Sequence, residues 1–173
     1  MKKVAIVYWL LPAKPERDLF CEVVRILRKE FRAPNFEPHL TLFSTAKDQQ
    51  PPKQVLKQIS IQPIRLTTGG AGFSSEFTKT LFVRFKSSPA LRKLMTELSR
   101  AAKSRAKAPS DPHVSLLYKK LPGSAKKQLA AVMKLPFRSV VFDSIAAVRC
   151  PSPSRTKADV EAWKILATKS LRR

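Results

Sequence analysis

The stretch Ser110-Asp111-Pro112-His113-Val114-Ser115-Leu116 repeats, 74 residues further on, the pattern of Phe36-Glu37-Pro38-His39-Leu40-Thr41-Leu42. Both copies run acidic, Pro, His, apolar, hydroxyl, Leu, and together they hold both histidines of the 173-residue chain. On an extended strand, side chains alternate between faces. His39 and Thr41 then share one face with Leu40 and Leu42 on the other, and His113 with Ser115 opposes Val114 with Leu116. Pro38 and Pro112 disfavour helix at the residue before each, which holds both copies extended on entry. Each strand offers an imidazole and a hydroxyl to a cleft and an apolar row to a core.

Outward from these strands, Val4–Leu10 reads as a first strand ending before Pro12. Leu19, Phe20, Val23, Val24, Leu27 and Phe31 recur at helical spacing from Pro15 to Phe31. Ser88 caps a second helix over Pro89–Ala106, and a shorter one follows Ser124. Further strands are expected at Ile61–Thr68, Thr80–Lys86, Phe137–Arg149 and Asp159–Thr168. Helices alternating with paired strands favour an α+β fold with antiparallel sheets over a doubly wound parallel one. The segments Thr68–Thr78 and Cys150–Lys157, rich in Gly, Ser and Pro, read as loops. No linker divides the chain, so residues 1–173 are expected to form one domain.

With 43% apolar residues the chain can bury roughly 70% of its unfolded surface. Its formal charge is +22, from 34 Lys and Arg against 12 Asp and Glu. The excess lies mostly after residue 60, and no carboxylate occurs between Pro112 and Phe142. Such a field attracts phosphate-rich partners, nonspecific RNA contact included, or simply solvates the surface. No apolar run approaches the ~20 residues of a membrane span. Lys2-Lys3 and the apolar run after them resemble a signal peptide, but the run is short and lacks a small-x-small cleavage site. A cytoplasmic monomer with no membrane partner is the expectation. Cys21 and Cys150 form no CxxC pair and no disulfide framework.

Two imidazoles around one volume, with hydroxyls between them, suit attack at a phosphodiester. One takes a proton from the nucleophile while the other gives one to the leaving oxygen. Thr41 and Ser115 are placed to donate to the non-bridging oxygens as charge develops. Two histidines without a third ligand at a recognisable spacing do not make a zinc site, and no G-x-S-x-G marks a serine hydrolase. No metal and no cofactor are expected. Trp9 and Trp163 read either as core aromatics or as flanks of a nucleobase, and Phe73 and Phe77 as loop anchors or a stacking lid over a base.

The paired motifs His39-Leu-Thr41-Leu and His113-Val-Ser115-Leu resemble those of the two-histidine (2H) phosphoesterase superfamily. The fuller strings Phe36–Leu42 and Asp111–Tyr118 are most similar to its cyclic phosphodiesterases. The opening Val7–Pro12 and closing Glu161–Lys164 are similar to that family's first and last strands. The resemblance implies a bilobal α+β fold of two antiparallel sheets facing across a groove, helices outside, with a pseudo-twofold repeat. It implies metal-independent hydrolysis of a nucleoside 2′,3′-cyclic phosphate or ADP-ribose 1″,2″-cyclic phosphate to a monoester. His39 and His113 are then catalytic; Thr41, Ser115 and Tyr118 bind substrate, with Tyr118 a pocket wall or a water-holding hydroxyl. Lys119 stands where relatives often have Gly. The alternatives are an RNA-end 2′,3′-cyclic phosphodiesterase, or a non-catalytic RNA-binding protein on the same fold. The pseudosymmetry leaves acid and base interchangeable; the working assignment makes His113 the base and His39 the acid.

Overall fold

The computed structural model describes residues 2–45, 50–104 and 109–171. Its elements in chain order are β1 (Lys3–Pro12), α1 (Glu16–Phe31), β2 (Leu40–Thr45), α2 (Pro52–Lys57), β3 (Ile64–Phe73) and a 3-10 turn (Phe77–Lys79). There follow β4 (Leu81–Phe85), α3 (Pro89–Ala101), β5 (His113–Leu117), α4 (Gly123–Val132), β6 (Ser139–Ser152), α5 (Lys157–Glu161) and β7 (Lys164–Ser170).

All strand pairings are antiparallel, in the order β1-β2-β5-β4-β3-β6-β7, and β1 also pairs with β6. The first six strands therefore close into a ring with β7 outside it. Two sheets are recognisable within this ring. The 14-residue β6 runs through both, pairing β3 through Ser139–Phe142 and β1 through Phe142–Ser152. On the far side the sheets meet at one pair, Leu40 with Val114. These two residues sit at the same place in the two histidine motifs, so the repeat itself forms the seam.

Alternation along the strands separates two environments. Ile6, Tyr8, Leu10, Leu40, Leu42, Val114 and Leu116 join Phe20 and Leu27 of α1 and Leu91, Leu94 and Leu98 of α3 in the main core. Val7, Trp9 and Leu11, on the other face of β1, pack with Ala146, Val148 and Cys150. α1 forms because its apolar positions recur on one face while charged residues fill the rest. α3 is capped by Ser88, whose hydroxyl accepts from the Leu91 N–H at 3.1 Å, with Pro89 in the first turn. Ser88→Ala is expected to cost about 1 kcal/mol, read as a lower urea midpoint at unchanged m.

Several expectations are corrected. Residues 69–73 are not loop but the end of β3, which pairs with β4 through Ala71, Gly72 and Phe73. The glycines make this pairing feasible. A Cβ on Gly72 would lie 2.8 Å from the Phe82 ring, and Gly70 takes φ +88 beside the register shift between Thr68 and Ala71. The stretch expected as one strand from Asp159 is α5 followed by β7. Thr156 and Asp159 form a reciprocal capping box that starts the helix. The first residues of the Cys150–Lys157 loop belong to β6. α2 was not anticipated, and α3 ends at Ala101; residues 105 and 106 of its expected span lie outside the described residues. Among the described residues, no helix is long and apolar enough to cross a membrane.

Candidate active site

The cleft face of the ring carries a cavity of about 340 Å³. Both histidines line it, with Thr41, Ser115 and Tyr118, the Trp9 and Trp163 indoles, and Thr78 and Lys79 of the 3-10 turn. The catalytic and substrate-binding candidates His39, His113, Thr41, Ser115 and Tyr118 thus meet at one cavity.

The two imidazoles are held by the same device. Nδ1 of His39 lies 2.6 Å from the Glu37 carbonyl oxygen, and Nδ1 of His113 lies 2.8 Å from that of Asp111. A carbonyl oxygen only accepts, so each Nδ1 carries the hydrogen and each neutral ring keeps its Nε2 lone pair for the cavity. The acidic residue two before each histidine is also held by a cation. Arg17 Nε donates to Glu37 at 2.7 Å; Lys79 Nζ and Arg84 Nε donate to Asp111 at 2.7 and 3.2 Å. This explains why the repeat includes an acidic position and a proline. The side chain anchors the turn and its carbonyl fixes the imidazole tautomer.

Their surroundings differ. His39 is 5% exposed and lies flat on Trp9, with ring centroids 3.7 Å apart and planes 10° apart, while Trp163 meets both rings edge-on. Burial pushes the His39 imidazole down to about 4, against a smaller raising effect of the Glu37 hydrogen bond, and the nearby His113 lowers it further. His113 is only half-buried, with Phe82 edge-on at 5.2 Å. Burial lowers it too, opposed by the Asp111 hydrogen bond and assisted by the Lys79 charge. Trp9, 3% exposed and stacked on His39, is part of the wall and is not a free face for a nucleobase.

The hydroxyls are not equivalent. Thr41 is exposed at the cavity wall. Ser115 is buried, and its hydroxyl donates to the Thr78 carbonyl at 2.9 Å. Its proton is engaged by the protein, so serving a phosphate oxygen requires giving up that bond. Tyr118 is 2% exposed, stacks on Phe36 at 3.9 Å and shares a hydrogen bond with Ser115. Burial raises its phenol above the ordinary value, so it stays protonated as a rigid wall. Phe77 packs against Tyr118, the anchoring role, whereas Phe73 is exposed outside this cavity.

Among the described residues lining the cavity, Lys79 is the cation and Glu76 the carboxylate. The cations between Pro112 and Phe142 do not line it; Lys126 is buried there with its ammonium donating to the Ser74 carbonyl at 2.8 Å. Sequence reasoning missed the contact of Thr78 with Ser115 and the Trp9 stack, because both depend on which strands become neighbours. Among the described residues, no three His, Cys, Asp or Glu side chains converge as metal ligands do.

A closed antiparallel ring carrying one histidine motif from each half on a common cavity defines a two-histidine phosphoesterase architecture. The family model of the 2′-5′ RNA ligase superfamily matches residues 16–150, and the chain belongs to that superfamily of 2H phosphoesterases. It is 24% identical over 182 residues to a cyclic phosphodiesterase of Arabidopsis thaliana, covering 99% of this chain and 97% of that one. In fold it resembles E. coli LigT in apo form, with a TM-score of 0.59, 18% identity and full coverage of both chains. It also resembles the protein TT0787 of Thermus thermophilus, with a TM-score of 0.57 and 18% identity over 97% of this chain and 98% of that one.

Proposed function

We propose that the protein hydrolyses a cyclic phosphate, a nucleoside 2′,3′-cyclic phosphate or ADP-ribose 1″,2″-cyclic phosphate, to a monoester by two-histidine acid–base catalysis. The observation that carries this is the pair of imidazoles on one cavity, each with Nδ1 tied to a backbone carbonyl and Nε2 left for chemistry. The cavity volume suits a nucleotide. The similarity to a cyclic phosphodiesterase supports the reaction class.

In this reading His39 is the base, reversing the working assignment. Its burial keeps it neutral at physiological pH, ready to take a proton from water at Nε2. The imidazolium formed lies flat on the Trp9 π face, which favours a cation there. Water oxygen bonds to phosphorus, the ring P–O bond breaks, and His113 gives its Nε2 proton to the leaving oxygen. The substrate's negative charge draws the half-buried His113 toward its protonated form. Thr41 supplies a hydrogen bond to a non-bridging oxygen, and Lys79 a positive field beside it.

The test is hydrolysis of nucleoside 2′,3′-cyclic phosphates and of ADP-ribose 1″,2″-cyclic phosphate with EDTA present, resolving the monoester isomers. Turnover that survives chelation, with one isomer dominant, is the expected result. Turnover that chelation abolishes contradicts the mechanism. RNA binding without hydrolysis of any cyclic phosphate would leave the non-catalytic reading in its place. The exposed basic surface favours a second reading, in which the cyclic phosphate terminates an RNA chain.

A further inference from the structure

Outside the catalytic cavity, a second concavity of about 490 Å³ is lined by Arg25, Arg28, Lys29, Arg32, Ala33 and Lys157. The four α1 and C-cap cations follow i, i+3, i+4, i+7 spacing and so form one stripe, opposite the helix's buried Phe20, Val24 and Leu27. All five cations are exposed. Arg25 is paired with Glu22, and Lys157 reaches Glu161 at 3.7 Å. Among the described residues, no ion pair engages Arg28, Lys29 or Arg32. Like charges at this spacing destabilise a helix. The helix dipole accounts for cations in the last turn, Arg28 and Lys29, but not for Lys157, which a different helix brings to the same concavity. Arg32 also takes φ 50, a left-handed cap position that favours glycine.

This basic concavity shares no lining residue with the catalytic one, but the Lys157–Glu161 pair joins its edge to a third concavity. Beyond Ala33 the chain continues to Asn35, Phe36 and Glu37, and beyond Lys157 the short α5 continues to Val160 and Glu161. These residues, with Trp9, Val148, Trp163 and Ile165, border a cavity of about 270 Å³. Trp9 and Trp163 line both that cavity and the catalytic one. The segment 32–37 and α5 thus border a cationic and an aromatic concavity, and Trp9 and Trp163 border the aromatic one and the histidine cavity. The aromatic one has Asn35, Glu37 and Glu161 beside half-buried Trp163, groups that accept from base N–H donors and stack on a base face rather than bind phosphate.

We propose that the α1 stripe with Lys157 is a remote phosphate-binding site for a ribonucleotide chain. The chain's terminal cyclic phosphate enters the histidine cavity, a base near that end stacks on Trp163, and upstream phosphodiesters lie against Arg28, Lys29 and Arg32. Only a chain with a 2′-hydroxyl can end in a 2′,3′-cyclic phosphate, so the polymer is RNA. This rests on the cyclic-phosphate reading above and gives it a substrate class.

The experiment compares a nucleoside 2′,3′-cyclic phosphate with a short oligouridylate ending in 2′,3′-cyclic phosphate. It uses the full chain, its Arg28→Gln/Lys29→Gln/Arg32→Gln variant, and separately Lys157→Gln. For the oligomer, kcat/KM of the triple variant is expected to fall about tenfold or more. The slope of log(kcat/KM) against log salt should shrink by about 2, at ~0.7 per phosphate contact on a single strand. The mononucleotide should change less than twofold in both variants, which also shows that the fold is intact. Equal loss on both substrates, or oligomer turnover and salt slope like the parent's, would overturn the site. If neither substrate is hydrolysed by the parent, the catalytic reading has failed on its own. Anisotropy with a labelled 3′-phosphorylated oligouridylate then still decides the site: weaker binding by the triple variant supports it, and unchanged affinity refutes it.

Discussion

Alanine at His39 or at His113 is expected to lower kcat on a cyclic phosphate by about 10²–10⁴-fold, the range for removing one positioned acid or base. In the proposed mechanism the two histidines act in one concerted exchange, one accepting while the other donates. The double variant should therefore lose little more than the worse single one. The pH profile distinguishes their roles. His39 must be neutral, so the acid limb of the parent reflects its depressed ionisation near about 4, displaced upward when anionic substrate is bound. His113 must be protonated, so the rate falls as pH rises through its own ionisation. Retention of the acid limb by His39→Ala, or near-parental turnover in either single variant, would remove the proposed assignment. Tyr118→Phe is a weaker perturbation, because the phenol is stacked and buried and contacts Ser115.

Stability should fall by about 3 kcal/mol as pH drops from about 7 to about 4, through His39. Unfolded, this imidazole titrates at the ordinary value of 6.5; folded, burial holds it down to about 4. Between those values the unfolded chain binds more protons, so stability rises with pH across the window. The contribution is complete above the unfolded value and is lost as pH falls toward the folded one. His113 is lowered in the same direction and adds to the same window. The carboxylates with lowered ionisation, Asp111 held by Lys79 and Asp159 held by Lys2, lose their contribution only below the ordinary carboxylate range. Urea midpoints across this pH range test the expectation, with His39→Gln flattening the dependence. A parent whose midpoint stays level between those values would mean that His39 is solvated.

Much of the site was legible because it is local. The histidine, hydroxyl and apolar positions of each motif alternate, and period 2 alone assigns Leu40 and Val114 to the core and Thr41 and Ser115 to the cleft. The proline and acidic residue before each histidine are likewise local devices, since the carbonyl that fixes each tautomer belongs to residue i−2. The amphipathic patterns of α1 and α3 were equally readable. The glycine run of β3 misled because glycine signals a turn by default, whereas here it admits the Phe82 ring of a neighbouring strand.

By itself, the sequence determined α1, α3, the strands of the two histidine motifs, their inward faces and the two catalytic candidates, because each depends on periodicity or on neighbours within a few residues. The tertiary structure decided what makes the two motifs unequal. Ring closure through β1 and β6 sets Trp9 beside His39, and that neighbour with the attendant burial separates a buried imidazole from a half-buried one. It also decided which of the many cations share a surface with Lys157. Desolvation and charge clustering depend on residues distant in sequence, and no local pattern encodes them.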